Sequence, residues 1–569
     1  MSVKPANLIY GVDEKPPTWI STLLGFQHLC IVAIAFIFPV IIVHQAGGTH
    51  EQASNLVSMS MFAGGIGVIL QALKRGPVGS GYLCPQVCGP SFLTASILAV
   101  KTGGLSLLLG MTVIAGLTES FFSRFMRKLR FLFPAEVTGL IVAMVGLTVV
   151  KLAMGYFFGL GPNDAEVHPY EILVSVITLG SMVGLNIWSK GKLKLFCILI
   201  GMATGYFVSW LCGLLGPGET DYLNRTAWLS FPLLDHPGWS FDLAMIGPLV
   251  VAALCSSLKT IGDITTCQKI NDADWKRPDM ENMRGGILAD GLGCLSAGLL
   301  GGMGQSSSST NIGLSIATGV TSRVIGFILG GMLMVMAFFP KAAAVFTIMP
   351  RPVMGATLVF ALSFMVVAGI QIVMSRMLDS RKTFVMGLSL IFGLSVDLVP
   401  QAFDHLHPWI QPLLSSSLSA GALSAVVLNL IFRIGISKKA ELKLVPGLSS
   451  GRDIHDFLER QGGAWGARRE VVQAATVALT ELWEAINGLN MAKGPVTMEA
   501  KFDELSLDFK ISYQGEACQM PDAPPSHDEL VSDPKAQAAL AGFLVRRYVD
   551  SIKLETAGED CLYRLHFAH

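Results

Sequence analysis

The sequence predicts an all-α polytopic membrane protein of fourteen transmembrane segments, built as a 7+7 inverted repeat, with a small cytoplasmic α/β domain at its C-terminal end. Three observations predict this fold. The composition is strongly apolar, basic loops alternate with uncharged ones, and two glycine-rich interruptions fall at corresponding places in the two halves. Of 569 residues, 51% are hydrophobic, 14% are charged and 60 are glycine, too apolar for a soluble enzyme of this length. Formal net charge is zero, so no global basic field points to nucleic acid. The ten cysteines are scattered without the spacing of a disulfide or zinc framework. Cys84 and Cys88 form a CxxxC in an apolar setting and read as packing residues, so no metal site is expected.

The segments read in order as 22–43, 55–73, 82–100, 104–123, 134–153, 171–189, 193–215, 243–268, 285–303, 307–320, 323–347, 352–373, 383–400 and 412–434. The first run, Leu23 to Val43, is too long for a signal-peptide core and follows the mixed charges of Asp13, Glu14 and Lys15, so no cleavable signal is expected. Basic clusters follow even-numbered segments: Lys74 and Arg75; Arg124, Arg127, Lys128 and Arg130; Lys190, Lys192 and Lys194. They continue with Lys269, Lys276, Arg277 and Arg284, then Arg376, Arg381 and Lys382, then Lys438 and Lys439. The positive-inside rule therefore puts both termini in the cytoplasm of a protein of the cell (inner) membrane. Residues 1–21 form a cytoplasmic N-terminus and 22–436 the membrane domain.

Fourteen segments divide into two sevens, and an odd-numbered half must be inverted relative to its partner. The third and tenth segments correspond and both are broken. The third holds Gly76-Pro-Val-Gly-Ser-Gly81 and Cys88-Gly-Pro-Ser-Phe92; the tenth holds Gly301-Gly-Met-Gly-Gln-Ser-Ser-Ser-Ser309 and Thr310-Asn-Ile-Gly313. Paired broken segments are the best pointer in a sequence to a binding site at the membrane midplane. Short helices starting near Ser91 and Asn311 would aim free N–H groups at a ligand; glycine-rich close packing is the plainer alternative. Lys259 lies within the apolar run Leu243 to Cys267, with Asp263 one turn on. A lone charge at the bilayer centre costs roughly 2.5–3.5 kcal/mol, and an opposite charge at i+4 offsets part of that. The pair reads either as a buried structural ion pair or as a substrate or ion site.

Residues 437–464 read as a linker and 465–569 as a separate domain. The latter has an amphipathic stretch from Arg468 to Ile486, a strand-like run from Leu505 to Ser512 and a Pro/Asp loop from Pro521 to Pro525. No nucleophile–base or metal constellation appears in the membrane part, so an enzyme is not expected.

Local patterns in the membrane domain resemble the nucleobase–ascorbate transporter family, also called uracil/xanthine permeases. They are Tyr10-Gly-Val-Asp-Glu-Lys-Pro-Pro17, the pair Gln27-His28, Ala289-Asp290-Gly291, Asn311-x-Gly313-x4-Thr318-Gly319 and Pro350-Arg-Pro-Val-Met-Gly355. The resemblance implies a core domain of spans 1–4 and 8–11 moving against a gate domain of spans 5–7 and 12–14. It implies a secondary active transporter that binds a nucleobase between the broken segments and works by alternating access, with a proton or sodium as coupling ion and no other cofactor. Phe92 corresponds to the aromatic that stacks on the base, and Asn311 opens the signature. Gln27, His28, Asp290, Gly313 and Thr318 form a supporting network. A homodimer is implied as well.

Two positions depart from the family pattern. Where it keeps a Glu in the eighth span, this chain reads Lys259-Thr-Ile-Gly262-Asp263, and before the signature Asn it has Thr310 in place of Gln or Glu. A carboxylate accepts hydrogen bonds whereas an ammonium only donates. The expected substrate therefore shifts from uracil-like bases toward acceptor-rich or anionic ones, xanthine or urate, bound at Phe92, Lys259, Asp263, Thr310 and Asn311. Asp263 would pair with Lys259 in the empty state and carry the coupling proton; alternatively, Lys259 stands in for a bound cation. A membrane sensor that signals through the C-terminal domain and a small-anion carrier are the alternative functions.

Residues 465–569 resemble the histidine-kinase-type ATPase fold of anti-sigma-factor kinases, through Ala478-Leu-Thr-Glu481-Leu-Trp-Glu-Ala485, Ile511-Ser-Tyr-Gln-Gly515 and Phe543-Leu-Val-Arg-Arg-Tyr-Val-Asp550. Ala485 stands where an active site keeps its magnesium-binding Asn, and Tyr513 where it keeps an Asp. With both changed, a degenerate domain is expected, one that does not hydrolyse ATP and binds a cytoplasmic protein partner or a loop between spans.

Overall fold

Hydrophobic helices dominate residues up to Leu430, and a mixed helix–sheet unit follows from Ile431 to His569. The computed structural model describes residues 4–568 apart from 7, 130, 131, 133, 161–165, 190–192, 194, 195, 232–235, 274, 276, 277, 375–379, 404–413, 415, 436, 504, 505 and 526–533. Arg130, Lys190, Lys192, Lys194, Lys276, Arg277, Arg376 and Leu505 therefore lie outside the described residues.

Among the described residues, seven helices are long and apolar enough to cross a bilayer: Thr18–Gln45, His50–Ala72, Pro90–Met126, Glu136–Phe157, Pro169–Trp188, Leu243–Asn271 and Arg351–Met374. An eighth span is counted if the bent pair Arg323–Met336 and Pro340–Thr347 is taken as one. Exposed Trp188, Phe207, Trp210 and Ile391 show that apolar side chains also cover the outside, as a lipid solvent requires. The protein is thus a multi-pass membrane protein.

Backbone breaks fall where residue chemistry demands them. Between the expected third and fourth segments the helix is broken at Gly103 and at Gly104, whose φ of 72° and ψ of −169° suit only glycine. The expected continuous span 323–347 is instead bent by 84°, with Pro340 opening the second piece. Proline has no N–H to continue the first helix, so the chain restarts there. Helix Met280–Leu300 packs closely on Pro90–Met126; a Cβ added to Gly116 would fall 2.4 Å from Leu295 N. Small residues permit this backbone approach, and it fixes the height of Asp290 on its helix.

The C-terminal unit has a five-stranded sheet in the order β3-β4-β5-β7-β6: Lys438–Leu444, Val496–Phe502, Ser506–Gln514, Asp560–Ala568 and Ser551–Ala557. Every pairing is antiparallel, so the unit is of the α+β kind and not the α/β kind expected. Helices Gly451–Trp465, Arg469–Gly488 and Pro534–Tyr548 cover the face that carries Leu507, Phe509, Ile511, Tyr563, Leu565 and Phe567. The stretch expected as a linker, 437–464, is built into this unit: β3 pairs along its whole length with β4, and Ile454, Phe457 and Leu458 enter the core. Alternating charges on this edge strand disguise it as a linker.

Candidate functional site

After helix His50–Ala72 the chain leaves helical geometry and forms a three-residue strand, β1, Gln86–Cys88. After helix Met280–Leu300, ended by Gly301 at φ 99°, it does the same in β2, Gln305–Ser307. The two strands pair antiparallel, Gln86 opposite Ser307, Val87 opposite Ser306 and Cys88 opposite Gln305. Gly89 N donates to Gly304 O (2.9 Å) and Ser308 N to Pro85 O (2.9 Å), which closes both ends of the ribbon. The broken segments thus satisfy one another's backbone groups, which irregular chain inside a membrane protein must do. A short helix leaves each end of the ribbon, 93–102 after the turn Pro90–Phe92 and Ser309–Thr318 after its cap Ser308.

Several expected site residues meet at this crossing. Phe92 is fully buried, and its ring lies against the other broken segment: a Cβ on Gly304 would fall 2.8 Å from the ring. Asn311 is held by Ser308, to whose Oγ its Nδ2 donates at 2.9 Å, and its Oδ1 lies 2.9 Å from His28 Nδ1. Thr310 and Gly313 occupy the exposed side of the same helix. Thr318, at the far end, donates back to Leu314 O (2.9 Å) and has a helix-internal role. Gln27 is buried, and its Oε1 has no partner among the described residues.

Lys259 and Asp263 are both buried and form an ion pair with Nζ 3.2 Å from Oδ2. The ammonium also donates to the Ser307 carbonyl, so it joins helix Leu243–Asn271 to β2. Asp263 accepts from the Ser307 hydroxyl (2.5 Å) and from Ser309 (2.6 Å) as well. Two of the three lysine N–H bonds are therefore spent inside the protein. Asp290 accepts from Thr260 at 2.6 Å and lies 3.4 Å from Ser256 Oγ; Thr260 Oγ1 is in turn 3.0 Å from Ser307 Oγ. A continuous polar chain therefore runs from Asp263 through Ser307 and Thr260 to Asp290.

Five members of this cluster, Ser256, Thr260, Ser307, Ser309 and Glu119, are not among the candidates the sequence singles out. Ser307 and Ser309 belong to the serine run of the broken tenth segment, which the sequence marks as an interruption without assigning its hydroxyls a role. Glu119 is fully buried beside Asp290 and Ser256. Its signal was available: it is a lone acid in an otherwise apolar segment.

The N-terminal motif is tied to the same architecture. Tyr10 bridges to Val320, Ile9 N donates to Gly319 O (2.7 Å), and Asp13 pairs with Lys74 (2.5 Å) and Arg323 (2.8 Å). The motif thus anchors the end of helix Ser309–Thr318 to the helix ends around it. Lys4 and the Gly11 N–H hold the Glu14 carboxyl below its usual range.

Apolar spans, a pair of broken segments crossing inside them and a buried polar cluster at the crossing define a membrane transporter, not an enzyme. Residues 20–402 match the Permease family, the xanthine/uracil permeases. The chain belongs to this family of nucleobase–ascorbate transporters. It is 30% identical over 442 residues to the xanthine permease XanP of Escherichia coli (strain K12), covering 75% of this chain and 95% of that protein. To the xanthine permease XanQ of the same organism it is 29% identical over 466 residues, covering 79% and 98%. The murine Solute Carrier 26 family member A9 anion transporter, in its inward-facing state, shares the fold: TM-score 0.51, 12% identity, 77% of this chain and 72% of that one.

Proposed function

We propose that the chain is a transporter that carries a xanthine- or urate-like purine across the cell membrane by alternating access. The observation that carries this reading is the β1–β2 crossing, near which lie Phe92 of the turn Pro90–Phe92, Asn311 of helix Ser309–Thr318, and Lys259 and Asp263 of helix Leu243–Asn271. Thr310 and Gly313, on the open side of helix Ser309–Thr318, mark where the base would approach. The third Lys259 N–H is the group that would meet a carbonyl or an anionic ring edge, and Phe92 would supply the stacking surface. Asn311 would donate or accept at the helix start, with His28 fixing its orientation.

Fourteen spans in two inverted sevens are part of the proposal, with spans 1–4 and 8–11 as core and spans 5–7 and 12–14 as gate. The antiparallel pairing of the two broken segments supports the inversion, because equivalent segments of inverted halves run in opposite directions. The charge pattern supports cytoplasmic termini in the inner membrane, and the family resemblance supports a homodimer. Proton coupling through Asp263 draws the least support from the site, because Asp263 accepts from an ammonium and two hydroxyls.

For the C-terminal unit we propose a non-hydrolysing module that binds a cytoplasmic protein. The Tyr513 hydroxyl donates to Glu516 O (2.7 Å) and its ring stacks on Tyr563, which fills space an adenine-binding carboxylate would need.

The test is uptake of radiolabelled xanthine by cells that lack their own base permeases, with urate, uracil, bicarbonate and chloride as competitors. Saturable xanthine uptake blocked by urate supports the proposal. Xanthine binding without uptake points to the sensor, and competition by the inorganic anions alone points to an anion carrier.

A further inference from the structure

The surroundings of Lys259 Nζ are those of a bound cation. The ammonium lies 3.2 Å from Asp263 Oδ2, donates to the backbone carbonyl of Ser307, and is almost wholly excluded from solvent. The Ser307 and Ser309 hydroxyls complete the shell around the same carboxylate at 2.5 and 2.6 Å. One anionic oxygen, one backbone carbonyl and neighbouring hydroxyls are the donor set a hard cation takes from a protein. The carbonyl belongs to β2, the strand that crosses β1. Charge at this point therefore holds one broken segment onto the eighth-span helix. The other buried acids nearby, Asp290 and Glu119, are linked to this spot through Thr260 and Ser256 and make no direct bond to Nζ.

We infer that Lys259 is a covalently tethered replacement for a coupling cation, so that this transporter moves its substrate without a sodium or proton gradient. This inference rests on the transport reading above and deepens it at the same site. A carrier coupled to an ion must bind and release that ion in each cycle, so any link the ion makes between its segments is broken and remade. Here the positive charge never leaves, so the crossing stays assembled with or without external cations. Removing the side chain leaves the Asp263 carboxylate buried and uncompensated, which is among the costliest arrangements in a protein interior. Lys259→Ala therefore recreates a vacancy that a cation in solution is drawn to fill.

The full-length protein, purified and reconstituted into proteoliposomes, is assayed with labelled xanthine under imposed sodium or pH gradients, with choline replacing sodium as control. Wild type is expected to equilibrate xanthine at the same rate under every gradient. Lys259→Ala is expected to run about fivefold or more faster with external sodium than with choline, the lower end of ordinary coupling between two sites. Lys259→Arg keeps the fixed charge and should remain sodium-independent. A readout that needs no substrate is the melting temperature of the purified protein titrated with sodium chloride against choline chloride. It should rise for Lys259→Ala and stay level for wild type.

Wild-type uptake driven by either gradient overturns the inference, and so does a folded Lys259→Ala protein indifferent to sodium and to pH in both assays. If Lys259→Ala does not fold, the wild-type gradient experiment decides alone. If wild-type vesicles take up no xanthine, the transport reading fails, while the melting titration still tests the cation vacancy.

Discussion

Mutating the Lys259–Asp263 pair singly and together should give strongly non-additive losses. The two charged atoms are 3.2 Å apart, with side chains only 4% and 9% exposed. At the effective dielectric of about 20 that suits buried sites, their attraction is about 5 kcal/mol. Breaking a buried pair from one side costs about 3–5 kcal/mol, because the survivor stays charged and unpaired. The two single changes should differ, since Asp263 without Lys259 keeps the Ser307 and Ser309 hydroxyls. Lys259 without Asp263 keeps only the Ser307 carbonyl among these partners. Asp263→Asn is thus expected at the upper end of that range and Lys259→Met at the lower end. The double variant, which removes both charges, should lie within about 2 kcal/mol of wild type, because losing a whole buried pair is often close to neutral. The assay is equilibrium unfolding in mixed detergent–SDS micelles in sodium-free choline buffer, where no cation can fill the vacancy. A double variant as unstable as the two single losses combined would refute the reasoning, since the charges would then not depend on each other.

Gly304→Ala should push the Phe92 ring aside, because the new Cβ would lie 2.8 Å from it; a rise in the xanthine KM of about tenfold, about 1.4 kcal/mol, with folding retained, is the expected outcome in uptake assays. His28→Ala should cost about 1–3 kcal/mol by leaving Asn311 Oδ1 buried without its partner, read as a lower unfolding midpoint, whereas His28→Asn should recover part of the loss. In the C-terminal unit the Tyr563 hydroxyl accepts from Cys518 N (2.6 Å) and donates to Cys518 O (3.1 Å), so Tyr563→Phe should destabilise that unit by about 1–3 kcal/mol, measured by hydrogen exchange in the full chain. Burial pushes the Tyr563 phenol from its ordinary 10 up to about 12. The neutral phenol's contribution is therefore intact below pH 10 and lost as pH rises through about 12, and Tyr563→Phe should weaken that alkaline loosening.

How much the sequence disclosed depended on how local each cause was. The Gly103–Gly104 break is visible because it is a property of two residues, and the helix placement follows from apolar runs. The β1–β2 ribbon is invisible for the opposite reason: Gln86 and Ser307 meet across two hundred residues, and three-residue strands leave no periodicity to read. The Lys259–Asp263 pair was legible from its i,i+4 spacing, but the Ser307 carbonyl was not, because a backbone acceptor has no signature. Glu119 is legible as the one acid in an apolar segment, and only the average hydropathy of that segment hides it. Strand β3 was lost to a charge-based reading, yet Ala440, Leu442 and Leu444 alternate with Glu441 and Lys443, the pattern of a charged edge strand.

Three kinds of interaction converge on Ser307. Its backbone pairs with Gln86 across the ribbon, its carbonyl takes the Lys259 ammonium, and its hydroxyl joins Asp263 while touching Thr260. A shift of one broken segment against the other therefore cannot leave the ion pair undisturbed. On the transport proposed above, a substrate that drew Lys259 toward itself would pull on β2 through the Ser307 carbonyl, and occupancy of the site would act on the crossing without any further linkage.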